Sequence, residues 1–280
     1  TFDSENSRDL EPVKGFLKDD GYVMLVDFIR KYKGVRPAPP ASEEKTIDIS
    51  GSPEQWSGVL PEYLNYYDAY ERTDKGQGAV YEGRTVNSIE SAKVARDGEK
   101  IYFLVKCRGN IDKTATEFLH LYINSDRNYA TGREGYDFAA GRTKGALEKY
   151  EDGSWVKVAD LNYTVTGEYL MLEIPRAVLN LGDELNFEFK WVDSAGEIAS
   201  GDILDLYKTG TAAPLGRFNY VYTEKAEKTL SSAERGRLYG TAVFKAGSSK
   251  MNVSGARMDI YTDRKVTAVE SGGTLYIPYT

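Results

Sequence analysis

Asn124, Asp126 and Asn128 stand two residues apart in a stretch from Tyr122 to Phe138 that also holds Thr131-Gly132 and Gly135-Tyr-Asp137. Oxygen-bearing side chains at this spacing in an irregular loop can converge on a hard cation, so calcium is the chemistry offered, with Asp137 or a backbone carbonyl completing the set. An EF-hand would want glycine where Tyr129 stands and a bidentate glutamate where Gly135 stands, which excludes that geometry. The competing reading is a turn, in which the same side chains accept backbone hydrogens. Structural calcium is the one cofactor the sequence suggests.

Sugar recognition needs an exposed aromatic face for the C–H side of a pyranose, with polar groups at its rim. Trp155, Trp56, Tyr129, Tyr136 and Arg217 are the candidates. In Ser154-Trp-Val-Lys-Val158 the valines share one strand face, which puts Trp155 and Lys157 on the other, as a sugar ligand or as cover for a second sheet. Trp191 shares the face of Leu185, Phe187 and Phe189 and reads as core. Trp56 precedes the tyrosines at 63, 66, 67 and 70 and divides evenly between ligand and structural roles. Arg217, with Asp193, Asp202 and Asp205, reads either as a charged network tying loops together or as a sugar contact.

For catalysis, a serine triad would need His120, the single histidine, which alternates with Leu119, Leu121 and Ile123 and reads as a strand-surface residue. A glycosidase needs only two suitably separated carboxylates. Asp3, Glu5, Asp9 and Glu11 are the most suggestive, yet they cannot form a barrel site without the other strands. No catalytic residue is assigned.

The elements that must hold these residues are mainly strands. Residues 185–192 alternate apolar and polar, and further strands are predicted at 91–95, 100–107, 117–124, 154–158, 168–174, ended by Pro175, and 218–223. The expected fold is mainly β, an antiparallel, jelly-roll-like β-sandwich over 45–223. Before it, apolar spacing at Tyr22, Leu25, Val26, Ile29 and Tyr32 predicts an N-terminal helix over 17–33. A proline-rich linker covers 37–44, a charged helical connector 224–237, and a small β-rich or α+β segment 238–280.

The chain of 280 residues carries 36 Lys and Arg against 43 Asp and Glu, a net charge of -7 that argues against nucleic acid and membrane surfaces as partners. A single cysteine, Cys107, precludes an intrachain disulfide and reads as a buried strand thiol.

Residues 92–103, the Tyr122–Phe138 stretch, Phe189-Lys-Trp-Val-Asp193 followed by residues 213–222, and residues 47–56 together resemble the β-sandwich related to family 9 carbohydrate-binding modules, an accessory domain of bacterial glycoside hydrolases. The resemblance covers roughly residues 45–223. Residues 1–36 look like the tail of the glycoside hydrolase barrel that precedes such modules, and 238–280 is similar to the first part of a copper amine oxidase N-terminal-like domain, here with no histidine for copper. The resemblance implies a secreted bacterial protein, extracellular or at the cell surface. It also implies a noncatalytic module that binds polysaccharide or oligosaccharide for the catalytic domain of the same parent enzyme. The rival expectation is a structural spacer packed on that barrel, or a C-terminal fragment of the active hydrolase.

Overall fold

In the computed structural model, residues 38–66 and 85–224 are described in full; of the rest, only short helical and strand pieces are described. They form two compact units, the sandwich (38–66 and 85–224) in one, and helical residues 24–26 and 28–29 with the C-terminal strands in the other. The barrel-tail residues Asp3, Glu5, Asp9 and Glu11 and most of the 224–237 connector lie outside the described residues.

The sandwich strands are β1 (Tyr63–Leu64), β2 (Ile89–Arg96), β3 (Lys100–Cys107), β4 (His120–Asn124), β5 (Phe138–Ala140) and β6 (Ala146–Glu151), then β7 (Ser154–Asp160), β8 (Asn162–Thr166), β9 (Tyr169–Pro175), β10 (Asn186–Asp193), β11 (Thr211–Ala213) and β12 (Tyr220–Thr223). They make a 5-stranded sheet in the order β1-β2-β3-β9-β8 and a 7-stranded sheet in the order β11-β10-β4-β5-β6-β7, with β12 also on β10. Every pairing is antiparallel, as the sequence predicts for a sandwich. The C-terminal segment is β-rich, with paired strands Ala242–Ala246 and Ser249–Val253, Arg237–Leu238 and Met258–Asp259, and Val269–Ser271 and Thr274–Tyr276.

Alternation builds the core. Phe103, Val105, Leu170 and Leu172 from one sheet meet Leu121, Ile123, Phe187, Phe189 and Trp191 from the other in one buried cluster that includes Cys107. Trp191 is core, and the Phe103 and Phe189 rings meet edge-on at 5.9 Å. Full burial of each such side chain stabilises the fold by about 1.5–3 kcal/mol.

Both sheets are also covered on their outer faces. Ile47, Ile49, Trp56 and Val59 pack on Ala95, Tyr102, Leu104 and Met171 of the 5-stranded sheet. Ala195, Ile203 and Leu206 pack on Tyr122, Ala139, Val192 and Ala212 of the 7-stranded one. This second cover corrects the placement of His120, which is not on a strand surface but fully buried beneath the segment after β10.

Two boundaries differ from the sequence reading. Ala41 donates to Thr223 O at 2.8 Å and Ser42 to Leu60 O at 2.9 Å, so the second half of the expected linker is fastened to the sandwich. β4 starts at His120 rather than at 117, because Glu117 takes a left-handed φ of 50° and turns its carboxylate toward the backbone N–H groups of Ile198 and Ala199.

Candidate functional site

The β3–β4 loop is pinned at several points. Asp112 Oδ1 accepts from Thr114 N at 2.8 Å and Thr114 Oγ1 at 2.6 Å, and Ile111 donates to Gly167 O at 2.9 Å. Facing it is the β5–β6 turn, where Glu148 accepts from Thr143 N and Thr143 Oγ1 at 3.0 Å each, and where Leu161 donates to Gly145 O at 2.9 Å. Between them lies a recess of about 450 Å³. Its floor is Leu170 and Leu172 of the core with Phe118 and Tyr163, both half-buried, and its cationic rim is Lys113, Arg142 and Lys144. None of these was named from sequence. The residues come from separate segments, and the only hint was three basic residues, Lys113, Arg142 and Lys144, in two connections of an acidic chain.

Arg142 is fixed in place at this rim. It pairs with Glu148 at 3.3 Å and lies 5.6 Å from the Trp155 ring centroid, a cation–π contact. Trp155 itself is half-buried on the outer face of the 7-stranded sheet, edge-on to Tyr150 at 5.2 Å and tilted against Tyr122 at 6.0 Å. As the alternation predicts, the two valines share one face and Trp155 lies on the other, packed on the layer that covers this sheet. Val156 and Val158 are the open residues, at 44% and 40%, while the tryptophan side meets the covering layer.

The other sugar candidates separate. Trp56 is buried at 2% exposure, its indole N–H donating to Met171 Sδ at 3.3 Å, so burial closes it to a sugar. Tyr136 is closed in the same way, stacked on Tyr122 at 4.9 Å with its hydroxyl donating to Asn219 Oδ1 at 2.8 Å. Tyr129 is open, at 59%, and donates to Glu188 Oε2 at 2.5 Å, where Asn219 Nδ2 also donates at 3.0 Å. Arg217 pairs through its guanidinium with Glu134 at 3.2 Å, and its backbone N–H donates to Tyr207 Oη at 3.0 Å. Tyr129, Tyr136 and Arg217 thus share one corner, remote in its contacts from Trp56 on the other sheet.

The aspartates near Arg217 in sequence hold loops. Asp193 accepts from Asn87 N and Nδ2 and from Ser194 Oγ, Asp202 caps Leu204 N at 2.9 Å, and Asp205 accepts from Ser200 Oγ at 2.5 Å. Burial holds the Asp193 carboxyl above its ordinary value, against those hydrogen bonds.

The candidate calcium ligands are hydrogen-bonded separately. Asp126 Oδ1 accepts from Asn128 N at 2.8 Å and from Thr131 Oγ1, and Asn128 Oδ1 from Ala130 N at 3.0 Å. Asp137 Oδ2 accepts from Ser125 N at 2.8 Å and Ser125 Oγ at 2.9 Å. Asn124 is fully buried, and neither of its amide atoms has a partner among the described residues. No group of three or more His, Cys, Asp or Glu among the described residues is placed to hold a metal. As arranged, this donor set does not fit a calcium ion.

His120 forms a buried pair. Its Nε2 lies 2.6 Å from Glu197 Oε1 and its Nδ1 3.1 Å from Phe118 O, so both ring nitrogens face acceptors and neither is left to activate a nucleophile. Burial works against the charged imidazole, but the Glu197 carboxylate outweighs it and holds His120 above its ordinary value. Burial likewise opposes the charged form of Glu197, and the imidazolium wins, holding it below its ordinary value.

Comparison with known proteins identifies no relative. No family model matches the chain, and no curated protein and no solved structure matches it. Function must therefore be argued from the residues.

Proposed function

We propose that the sandwich is a noncatalytic carbohydrate-binding region of an extracellular bacterial glycoside hydrolase, which holds the catalytic domain of the same parent enzyme on a polysaccharide. The observation that carries this reading is the recess between the β3–β4 loop and the β5–β6 turn. Its volume of about 450 Å³ falls within the roughly 300–1,000 Å³ of small-ligand sites. Phe118 and Tyr163 offer aromatic surface to a sugar ring, and the rim offers donors to its oxygens. Each ring stack contributes about 0.5–1.5 kcal/mol, so affinity in the micromolar to millimolar range is expected. The module acts by raising the local concentration of substrate around the hydrolase.

Isothermal titration of the chain against a panel of polysaccharides and oligosaccharides tests the reading; a folded sample that binds none of them overturns it. The alternative of a spacer that binds no sugar draws support from the burial of Trp56 and Tyr136. In that case titration is silent and Tyr163→Ala changes only stability.

A further inference from the structure

We propose that the recess selects a carboxylated sugar, a uronate unit of an acidic polysaccharide, with Lys113, Arg142 and Lys144 on the carboxylate and Phe118 and Tyr163 against the ring. This rests on the carbohydrate-binding reading and narrows its ligand class.

Charge is the first argument. The chain is net -7, yet three cations converge on one recess. Its single lining carboxylate, Glu117, is engaged elsewhere: it accepts from Ala199 N at 2.6 Å and from Ile198 N at 3.4 Å. Lys113 and Lys144 are exposed and make no ion pair with any described residue, while Arg142 is held in position by Glu148 and Trp155. A ligand entering here meets three cationic side chains against one lining carboxylate, with the hydroxyls of Thr114 and Tyr163 beside them.

That inventory discriminates among sugars. A neutral hexose presents hydroxyls that both donate and accept, and it carries no charge for the three cations to engage. A carboxylate only accepts, and charge-assisted bonds to lysine and arginine are about twice as strong as neutral ones. The apolar floor separates a uronate from simpler anions, because it matches the C–H face of a ring. Both walls are pinned by the hydrogen bonds of Asp112, Glu148 and Gly145, so little ordering is needed on binding.

The test is isothermal titration of the chain, and of Lys113→Ala/Lys144→Ala, with oligogalacturonate, a neutral hexose oligomer of equal length, and polyglutamate. Both lysines are exposed, so the double variant should melt like the parent. The uronate should bind about tenfold more tightly than the neutral oligomer, and the double variant should lose about tenfold. Equal binding of the neutral oligomer, unaffected by the substitutions, overturns the uronate proposal and leaves carbohydrate binding standing. Polyglutamate bound as tightly as the uronate also overturns it, since charge alone would then suffice. Silence on every saccharide overturns both readings.

Discussion

The two sheets are each covered on the outside by apolar side chains, but only one cover also encloses charge. On the 5-stranded sheet the cover is apolar, with Trp56 seated against Tyr102, Leu104 and Met171. On the 7-stranded sheet it closes over His120, Glu197, Asn124 and Lys190, all at 0% exposure. Burial pushes the Lys190 amine well below its ordinary value, helped by the charge of Arg217. The first cover is held by area removed from water, which is indifferent to pH. The second adds to its apolar contacts one charge pair, His120 with Glu197, whose net gain is small after desolvation but whose disruption is expensive. Covering a sheet therefore specifies shape on one side and protonation state on the other.

Trp56→Ala should give the largest loss, about 3–5 kcal/mol, seen as a lower midpoint in chemical denaturation. It should lower the stability-versus-pH curve without changing its shape. A curve that changes shape would couple the cover to the Asp97 carboxyl, which accepts from Tyr102 Oη at 2.6 Å and is held, against burial, at about 2 by its hydrogen bonds, and would blur the distinction.

Glu197→Gln should cost about 2 kcal/mol, below the roughly 3–5 kcal/mol of a broken buried pair, because the imidazole can shed its proton. The pH dependence has a definite sign. His120 is raised above 6.5, so its contribution is complete below that pH and is lost as pH rises through the folded value. Glu197 is lowered below 4.5, so its contribution is complete above that pH and is lost as pH falls through the folded value. The pair therefore stabilises most between pH 4.5 and 6.5. Nearby Glu117 is raised chiefly by burial but also by the Glu197 charge, so its own slope shifts with the substitution and is read together with that of the pair. A difference that is flat across pH 4–8 would mean the two groups are buried neutral.

Trp155→Ala should be milder, about 1–2 kcal/mol from its contacts with Tyr150, Tyr122 and Arg142. Because Arg142 also lines the recess, the same change should weaken saccharide binding in titration. Trp191→Ala, within the inter-sheet core, should lower the melting temperature and leave binding per folded molecule unchanged. Equal binding in the parent and in Trp155→Ala would detach that tryptophan from the recess.

The inter-sheet core was readable because alternation with period two is a local signal, and Phe187, Phe189 and Trp191 fall on the face it assigns. The strands that escaped were too short for a period to show, such as β1, β5 and β11, or polar on an edge, such as β8. Alternation also misleads where both faces are buried. His120 sits on the non-core side of β4, and only the return of residues 195–206 decides that this side is not water. The recess was illegible for a related reason: Lys113, Arg142 and Tyr163 meet through topology, and nothing in the spacing of any one segment connects them.

The smallest expected effect concerns Asn124, Asp126, Asn128 and Asp137. Calcium takes 6–8 oxygens, and here the Asp126, Asn128 and Asp137 side chains already accept protons within their own loop. To bind a cation, Asp137 would have to exchange two donors from Ser125 for a single ion, and Asp126 would have to release the Asn128 N–H that closes its turn. The turn is also fixed by Gly132, at φ 62°, where an added Cβ would collide with Tyr136 O. Melting curves with calcium and with chelator should therefore coincide. The buried, unpartnered amide of Asn124 is the one feature that pulls the other way. A calcium-dependent rise that disappears in Asn124→Ala would assign that orphan oxygen to an ion and give the polar cover a second source of charge.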